Sequence, residues 1–257
     1  MTTAKIRAIV CGCCGRMGTA LQNIITQEQH NIEIVAGIDT ASVPCSYPVY
    51  SNVKDCDAVA DIIVNFLPST AEDIMQDVLS FAISKNLPLI ICTTGLTAKT
   101  QVEIQAASKH IAILPSANMS LGIAMMKKLL QNMSKTLYDY NFDIEIIEKH
   151  HNKKVDAPSG TAVLLHDIIA SAIGENVPAV TDRTKAHAVR HHNEIGIHAV
   201  RGGTIIGDHN VIFAGKHETI EISHSAQSRD VFIEGTIAAI LFLYNKPAGA
   251  YGMDSIV

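Results

Sequence analysis

Residues 5–39 constrain the fold more than any other stretch. An apolar run at 5–11 with Ile6, Ile9 and Val10 leads at once into Gly12-Cys13-Cys14-Gly15-Arg16-Met17-Gly18. Leu21, Ile24 and Ile25 then recur at helical spacing, and a second apolar run at 32–38 ends in Asp39. Strand, glycine turn, helix, strand and carboxylate follow the order of a Rossmann dinucleotide-binding unit. In such a unit Gly12 permits the tight turn, Gly15 lets a pyrophosphate approach the backbone, and Gly18 lets helix and strand pack closely. Asp39 falls where the carboxylate meets the adenosine ribose. The spacing is G-x-x-G-x-x-G rather than the commoner G-x-G-x-x-G, so the motif taken alone also fits a structural turn before a helix.

The alternation continues. Strand-like runs at 57–67, 87–93 and 111–114 are separated by helical patterns at 71–85 and 97–109, which predicts a parallel, doubly wound sheet with its ligand at the strand ends. Beyond it come a methionine-bearing helix at 121–137, a strand at 142–147, a helix at 160–173 and strands at 195–200, 211–214 and 219–223. A long apolar helix follows at 232–244.

Between the strand at 142–147 and the helix at 160–173 lies Glu148-Lys149-His150-His151-Asn152-Lys153-Lys154-Val155-Asp156-Ala157-Pro158-Ser159-Gly160-Thr161-Ala162. Asp156 or Ser159 can cap a helix with Pro158 near its first turn, leaving the Gly160 and Thr161 N–H groups available to an anion. Two imidazoles and two ammonium groups beside that helix start make an acid and anion site. A capped helix behind a solvated basic loop is the plain alternative.

The order H-H-x-x-K-V-D-A-P-S-G-T-A resembles the signature of the 4-hydroxy-tetrahydrodipicolinate reductase (dihydrodipicolinate reductase) family, which serves the route to diaminopimelate and lysine. The resemblance extends to the glycine turn, similar to the family's G-x-x-G-R-M-G, and to Thr93-Thr94-Gly95, where Cys92 stands in place of the family's first glycine. It includes the connecting segment 115–120, the segment Arg201-Gly202-Gly203 to Gly207-Asp208-His209, and Gly249-Ala250-Tyr251-Gly252-Met253 near the end.

That resemblance implies a Rossmann-like domain over 1–118 plus 231–257, and a smaller α+β substrate-binding and oligomerisation domain over 119–230. It implies a homotetramer assembled through a sheet, and hydride transfer from a reduced nicotinamide to C4 of a conjugated cyclic imine dicarboxylate. It assigns His150 as the acid/base histidine, Lys154 as the proton donor, and His151, Gly160 and Thr161 to the substrate carboxylates. The cofactor then lies against Gly12, Cys13, Cys14, Gly15, Arg16, Met17 and Asp39, and against Cys92, Thr93, Thr94, Ser116, Ala117, Asn118 and Met119. Asn118 can instead cap the next helix, and Arg229 is either an anion contact or a surface charge. Asp39 is followed by Thr40 rather than a basic residue, so NADH is expected over NADPH, unless Arg16 or Lys54 offsets the carboxylate.

Composition removes other classes. A net charge of -5 argues against nucleic acid as a partner, and the absence of a long apolar run argues against a membrane span or signal peptide. The six cysteines crowd into the first third without a disulfide framework, which suits the cytoplasm. Cys11, Cys13 and Cys14 read as small side chains in a turn rather than a metal nest, and His187 with His191 lacks a further ligand nearby, so no metal is expected. Two readings compete: another two-domain NAD(P)-dependent imine or amino-acid dehydrogenase, which leaves the histidine-lysine segment unused, and a nucleotide-sensing or metal-storing protein using the twelve histidines.

Overall fold

The computed structural model describes residues 4–41, 44–184 and 188–257; Lys185 and His187 of the basic stretch lie outside them. The chain divides into two compact units, one of residues 1–121 with 230–257 and one of 122–229.

The first unit begins with β1 (Ile6–Cys11), α1 (Arg16–Gln27), β2 (Ile32–Ile38) and the two-residue β3 (Val49–Tyr50), followed by β4 (Ile62–Asn65) and α2 (Glu72–Lys85). It continues with β5 (Leu89–Ile91), α3 (Ala98–Ala107) and β6 (Ala112–Pro115). The second unit carries α4 (Leu121–Asp139), β7 (Asp143–His150), α5 (Gly160–Ile173), β8 (Ala179–Val180), β9 (Ile195–Arg201), β10 (Asp208–Ala214) and β11 (Thr219–Ser225). The chain then returns to the first unit with α6 (Asp230–Leu243) and β12 (Gly249–Ala250). Among the described residues no helix is long and apolar enough to cross a membrane.

The first sheet has the order β12-β6-β5-β4-β1-β2-β3 and all its pairings are parallel. Parallel strands buried on both faces need continuous apolar sequence. Ile9, Ile63, Leu89, Ile91 and Ile113 turn towards one core with Val78, Ala82 and Ile104, while the alternate residues Ala8, Val10, Val64, Ile90 and Leu114 are buried on the other face. The strand order reverses between β1 and β4, so the loops after β1, β2, β4, β5 and β6 all open at the carboxyl edge beside this switch point.

The second sheet, β11-β10-β7-β9-β8, is mixed: β10 runs antiparallel to β7 and β11, whereas β9 runs parallel to β7 and β8. Ile144, Ile146, Val211, Phe213, Ile195 and Ile197 form one face of its core, filled by Met126 and Leu130 of α4 and Leu165, Ile169 and Ile173 of α5.

The largest departure from the sequence expectation is at β7. The strand does not stop at 147 but runs to His150, because Glu148 and His150 continue on its buried face. Their hydrogen bond to each other, and the pairing of Glu148 with Arg201, make polar side chains tolerable where alternation would demand apolar ones. Likewise β10 starts at Asp208 rather than 211, and the run at 57–67 contains strand only over Ile62–Asn65. The helix read from 160 to 173 has those bounds; of the two cap candidates Ser159 is its N-cap, and Pro158 lies just before the first turn.

Candidate functional site

At the carboxyl edge of the first sheet, Gly12 adopts φ +77°, a conformation that L side chains rarely adopt, and donates its N–H to Ile38 O at 2.8 Å. Gly15 is the N-cap of α1 and provides no side-chain cap, so the first-turn N–H groups of Arg16 and Met17 have no intrahelical acceptor. Such an end suits a phosphate. Asp39 follows β2 and is clamped by two backbone donors, Cys14 N–H to Oδ2 and Ala41 N–H to Oδ1, each at 2.9 Å. Its carboxylate is thereby fixed beside the glycine turn. The Lys54 ammonium sits 2.8 Å from Asp77 in a partly exposed pair. Arg16 is exposed at the helix start.

Cys13 is buried, with its Sγ against Gly37 and 3.8 Å from Cys14 Sγ. The ligand atoms of Cys13, Cys14 and Asp39 all lie within 4.8 Å of one another. Burial, with Cys14 beside it, pushes the Cys13 thiol up to about 12, so this residue is a protonated filler of the turn at neutral pH.

The ends of β4 and β5 are clasped by Asn65, which is fully buried and donates Nδ2 to Thr93 Oγ1 at 3.1 Å. Thr93 in turn donates to Leu67 O at 2.7 Å. Its hydroxyl is committed to the loop, whereas Thr94 is exposed. Cys92 is not in the left-handed region, so glycine is not demanded there. Its Sγ points to α6, 4.0 Å from Thr236 Oγ1, and desolvation raises its thiol to about 12. After β6, Ser116 Oγ donates to Asn118 O at 2.6 Å, and Asn118 Oδ1 accepts from Ser120 N–H at 2.9 Å. Ser116 and Ala117 line a shallow depression with Thr93 and Gly95. The Met119 side chain is buried, and its carbonyl abuts Gly235.

In the second unit the histidine-lysine stretch folds around an ion cluster. Glu148 is fully buried; its Oε2 lies 2.6 Å from His150 Nδ1, its Oε1 accepts from Ser159 N–H at 3.0 Å, and Arg201 donates to both oxygens at 2.7 Å. Burial by itself would raise the Glu148 carboxyl, but Arg201, His150 and the Ser159 amide together hold it below its ordinary range. Arg201 also donates to Asp156 O at 2.7 Å, and Gly202 N–H and Gly203 O bond to His150 O and Asn152 N–H. The R-G-G turn is therefore the scaffold of the H-H-x-x-K loop. Lys154 pairs with Asp156 at 2.8 Å, which holds the Asp156 carboxyl below the usual range.

His151 is half-buried, and its Nδ1 is shielded from solvent without a hydrogen-bond partner among the described residues. Gly160 is exposed, and a Cβ built on it meets nothing within 4 Å among the described residues. Arg229 is exposed. Glu148, Arg201, His209 and Asn65 had no assigned role in the sequence. The available signal was Glu148 two residues before His150, on the same strand face.

His209 packs edge-on to His150 at 5.3 Å between ring centroids and sits 3.1 Å from Ser159 Oγ. Burial, reinforced by His150, lowers it to about 4. An unfolded histidine takes a proton near 6.5, so between about 6.5 and about 4 the unfolded chain binds the extra proton and stability falls as pH falls. The full window amounts to roughly 3 kcal/mol. His209→Gln is expected to flatten the stability-against-pH curve in that window, measured by urea denaturation; an unchanged slope would refute the assignment.

The profile described as "Dihydrodipicolinate reductase, N-terminus" matches residues 6–119, and "Dihydrodipicolinate reductase, C-terminus" matches 122–257. The chain is 44% identical over 253 residues to a protein of Clostridium tetani named 4-hydroxy-tetrahydrodipicolinate reductase, covering 98% of this chain and 97% of that one. A protein of the same name from Caldanaerobacter subterraneus is 44% identical over 98% of both chains. Among solved structures, a dipicolinate-bound dihydrodipicolinate reductase from a Paenisporosarcina species superposes with a TM-score of 0.80 at 22% identity, over 98% of this chain and 100% of that one, which establishes the shared fold. A dehydrogenase sharing only the cofactor half would not match over 122–257, nor would a histidine-rich store match throughout. Both halves, in sequence and in fold, make this chain a member of the dihydrodipicolinate reductase family of oxidoreductases.

Proposed function

We propose that this protein reduces 4-hydroxy-tetrahydrodipicolinate to tetrahydrodipicolinate in diaminopimelate and lysine biosynthesis, using NAD(P)H. The observation that carries the reading is the second unit's cluster: a histidine with a buried carboxylate behind it, an ammonium on the same loop, and a serine-capped helix start whose Ser159 N–H binds the same carboxylate.

The first unit is the dinucleotide-binding unit. The α1 N-terminus receives the pyrophosphate, Asp39 the ribose hydroxyls, and the backbone of 92–94 and 116–118 flanks the nicotinamide, with Thr93 and Met119 acting from inside the loops. When bound, the reduced nicotinamide supplies the hydride. His151, with the Gly160 and Thr161 N–H groups, holds the substrate carboxylates and fixes the ring, which turns orientation into rate. Lys154 delivers the proton as charge builds on the imine framework, and His150 exchanges protons beside it.

The second sheet's face away from α4 and α5 carries Ile147, Ile212 and Val200, and it suits packing of copies into a homotetramer. Six free cysteines accord with work in the cytoplasm.

Turnover with enzymatically generated substrate tests the function, and running it with both cofactors tests the preference. The fixed Asp39 carboxylate repels a 2'-phosphate, so kcat/KM is expected to be about tenfold higher with NADH, equivalent to ~1.4 kcal/mol. A clear NADPH preference overturns the assignment of Asp39, and no oxidation of either cofactor overturns the function.

A further inference from the structure

We propose that Glu148 and Arg201 are positioning residues for His150: the carboxylate fixes the tautomer and orientation of the imidazole, and the guanidinium holds the carboxylate in place. The inference rests on the proposed acid/base role of His150 and deepens it.

An ionised carboxylate only accepts hydrogen bonds, so the 2.6 Å contact from Glu148 Oε2 requires His150 Nδ1 to carry a proton. Neutral His150 must then keep its lone pair on Nε2, which is the nitrogen left to exchange a proton with a ligand. The carboxylate cannot rotate away. Arg201 grips both of its oxygens at 2.7 Å, and the Ser159 amide, at the start of α5, adds a third donor at 3.0 Å. The ring is confined as well: His209 packs against it edge-on, and a Cβ at Gly207 would lie 3.1 Å from Nε2. Arg201 also grips Asp156 O, so the same guanidinium tethers the loop that carries Lys154. His150 and Lys154 are thereby referred to one fixed charge.

A buried ion pair can also serve stability alone, and the test must separate the two roles. Protein with 15N-labelled histidine is examined by NMR for the neutral His150 tautomer, in the unaltered chain, in Glu148→Gln and in the double variant Glu148→Gln/Arg201→Gln. The double variant leaves no uncompensated buried charge and restores folding if the single variant is unstable. The expected result is the Nδ1–H tautomer in the unaltered protein and its loss in both variants. Alongside it, kcat falls about 100-fold or more, as when the orienting carboxylate of an acid/base histidine is neutralised, while NADH affinity holds within about twofold.

A double variant that regains both stability and kcat overturns the proposal in favour of a structural pair. An Nε2–H tautomer in the unaltered protein, or an unchanged tautomer in the variants, overturns it directly. His150→Ala separates the two levels. Near-normal turnover there removes the acid/base role itself, whereas a strong loss there with full activity in Glu148→Gln removes only the positioning.

Discussion

Lys154→Ala is expected to lower kcat by about two to four orders of magnitude, the range of a lost general acid, with NADH affinity and thermal stability nearly unchanged. The ammonium is not free in the folded chain, since it pairs with Asp156 at 2.8 Å, but that pair is partly exposed, with side chains 20% and 53% accessible. Pairs of this kind contribute about 0.2–1 kcal/mol, so a bound dicarboxylate can draw the lysine away at little cost. For the same reason its removal should not unfold the protein. The nucleotide turn belongs to the other compact unit. Lys154→Arg should not rescue turnover, because a guanidinium keeps its charge but cannot give up a proton near neutral pH. Steady-state kinetics with NADH titration and a melting curve decide the matter; near-normal kcat in Lys154→Ala refutes the proton-donor role. His151→Ala provides the contrast, since a carboxylate ligand should mainly raise the substrate KM.

What the sequence made legible follows from the range over which each signal acts. Local periodicity located β1, α1 and β2 in order, and the bounds of α5 were readable because a serine cap opens it and Gly174, at φ +79°, closes it. The edge strands β3 and β8 have two residues each, too few to show a period. The end of β7 was misread because polarity was taken as a sign of the surface. Glu148 and His150 are polar and buried, and their partner Arg201 lies 53 residues beyond Glu148, so the pairing that makes their burial tolerable has no local signature. Asn65 escaped for the same reason, since its partner Thr93 is 28 residues away. That Cys92 can stand where the family carries a glycine is visible only in the backbone geometry: its side chain leaves towards α6, and its φ is not positive.

Gly18→Ala is expected to damage the nucleotide turn of the first unit, although helix propensity argues the reverse. Alanine is favoured over glycine in a helix interior by about 1 kcal/mol. At position 18, however, the added Cβ would stand 2.5 Å from Gly12 O and 2.6 Å from both Cys13 Cα and Cys13 O. All three are backbone atoms of the turn and cannot rotate aside. Either α1 withdraws by about 1 Å or the turn opens, at a cost of roughly 1–3 kcal/mol, which outweighs the propensity gain. Both movements displace the α1 N–H groups from Asp39 and the turn. A misplacement of that size can cost about 100-fold in a geometrically demanding site, and NADH affinity is expected to fall by that order. Gly160→Ala is the matched control, because no described residue lies within 4 Å of its added Cβ. It should fold normally and bind NADH normally, and raise only the substrate KM by adding a methyl at the helix start proposed to hold a carboxylate. Wild-type NADH affinity in Gly18→Ala, measured by fluorescence titration, would show that the close approach of helix and turn does not position the dinucleotide.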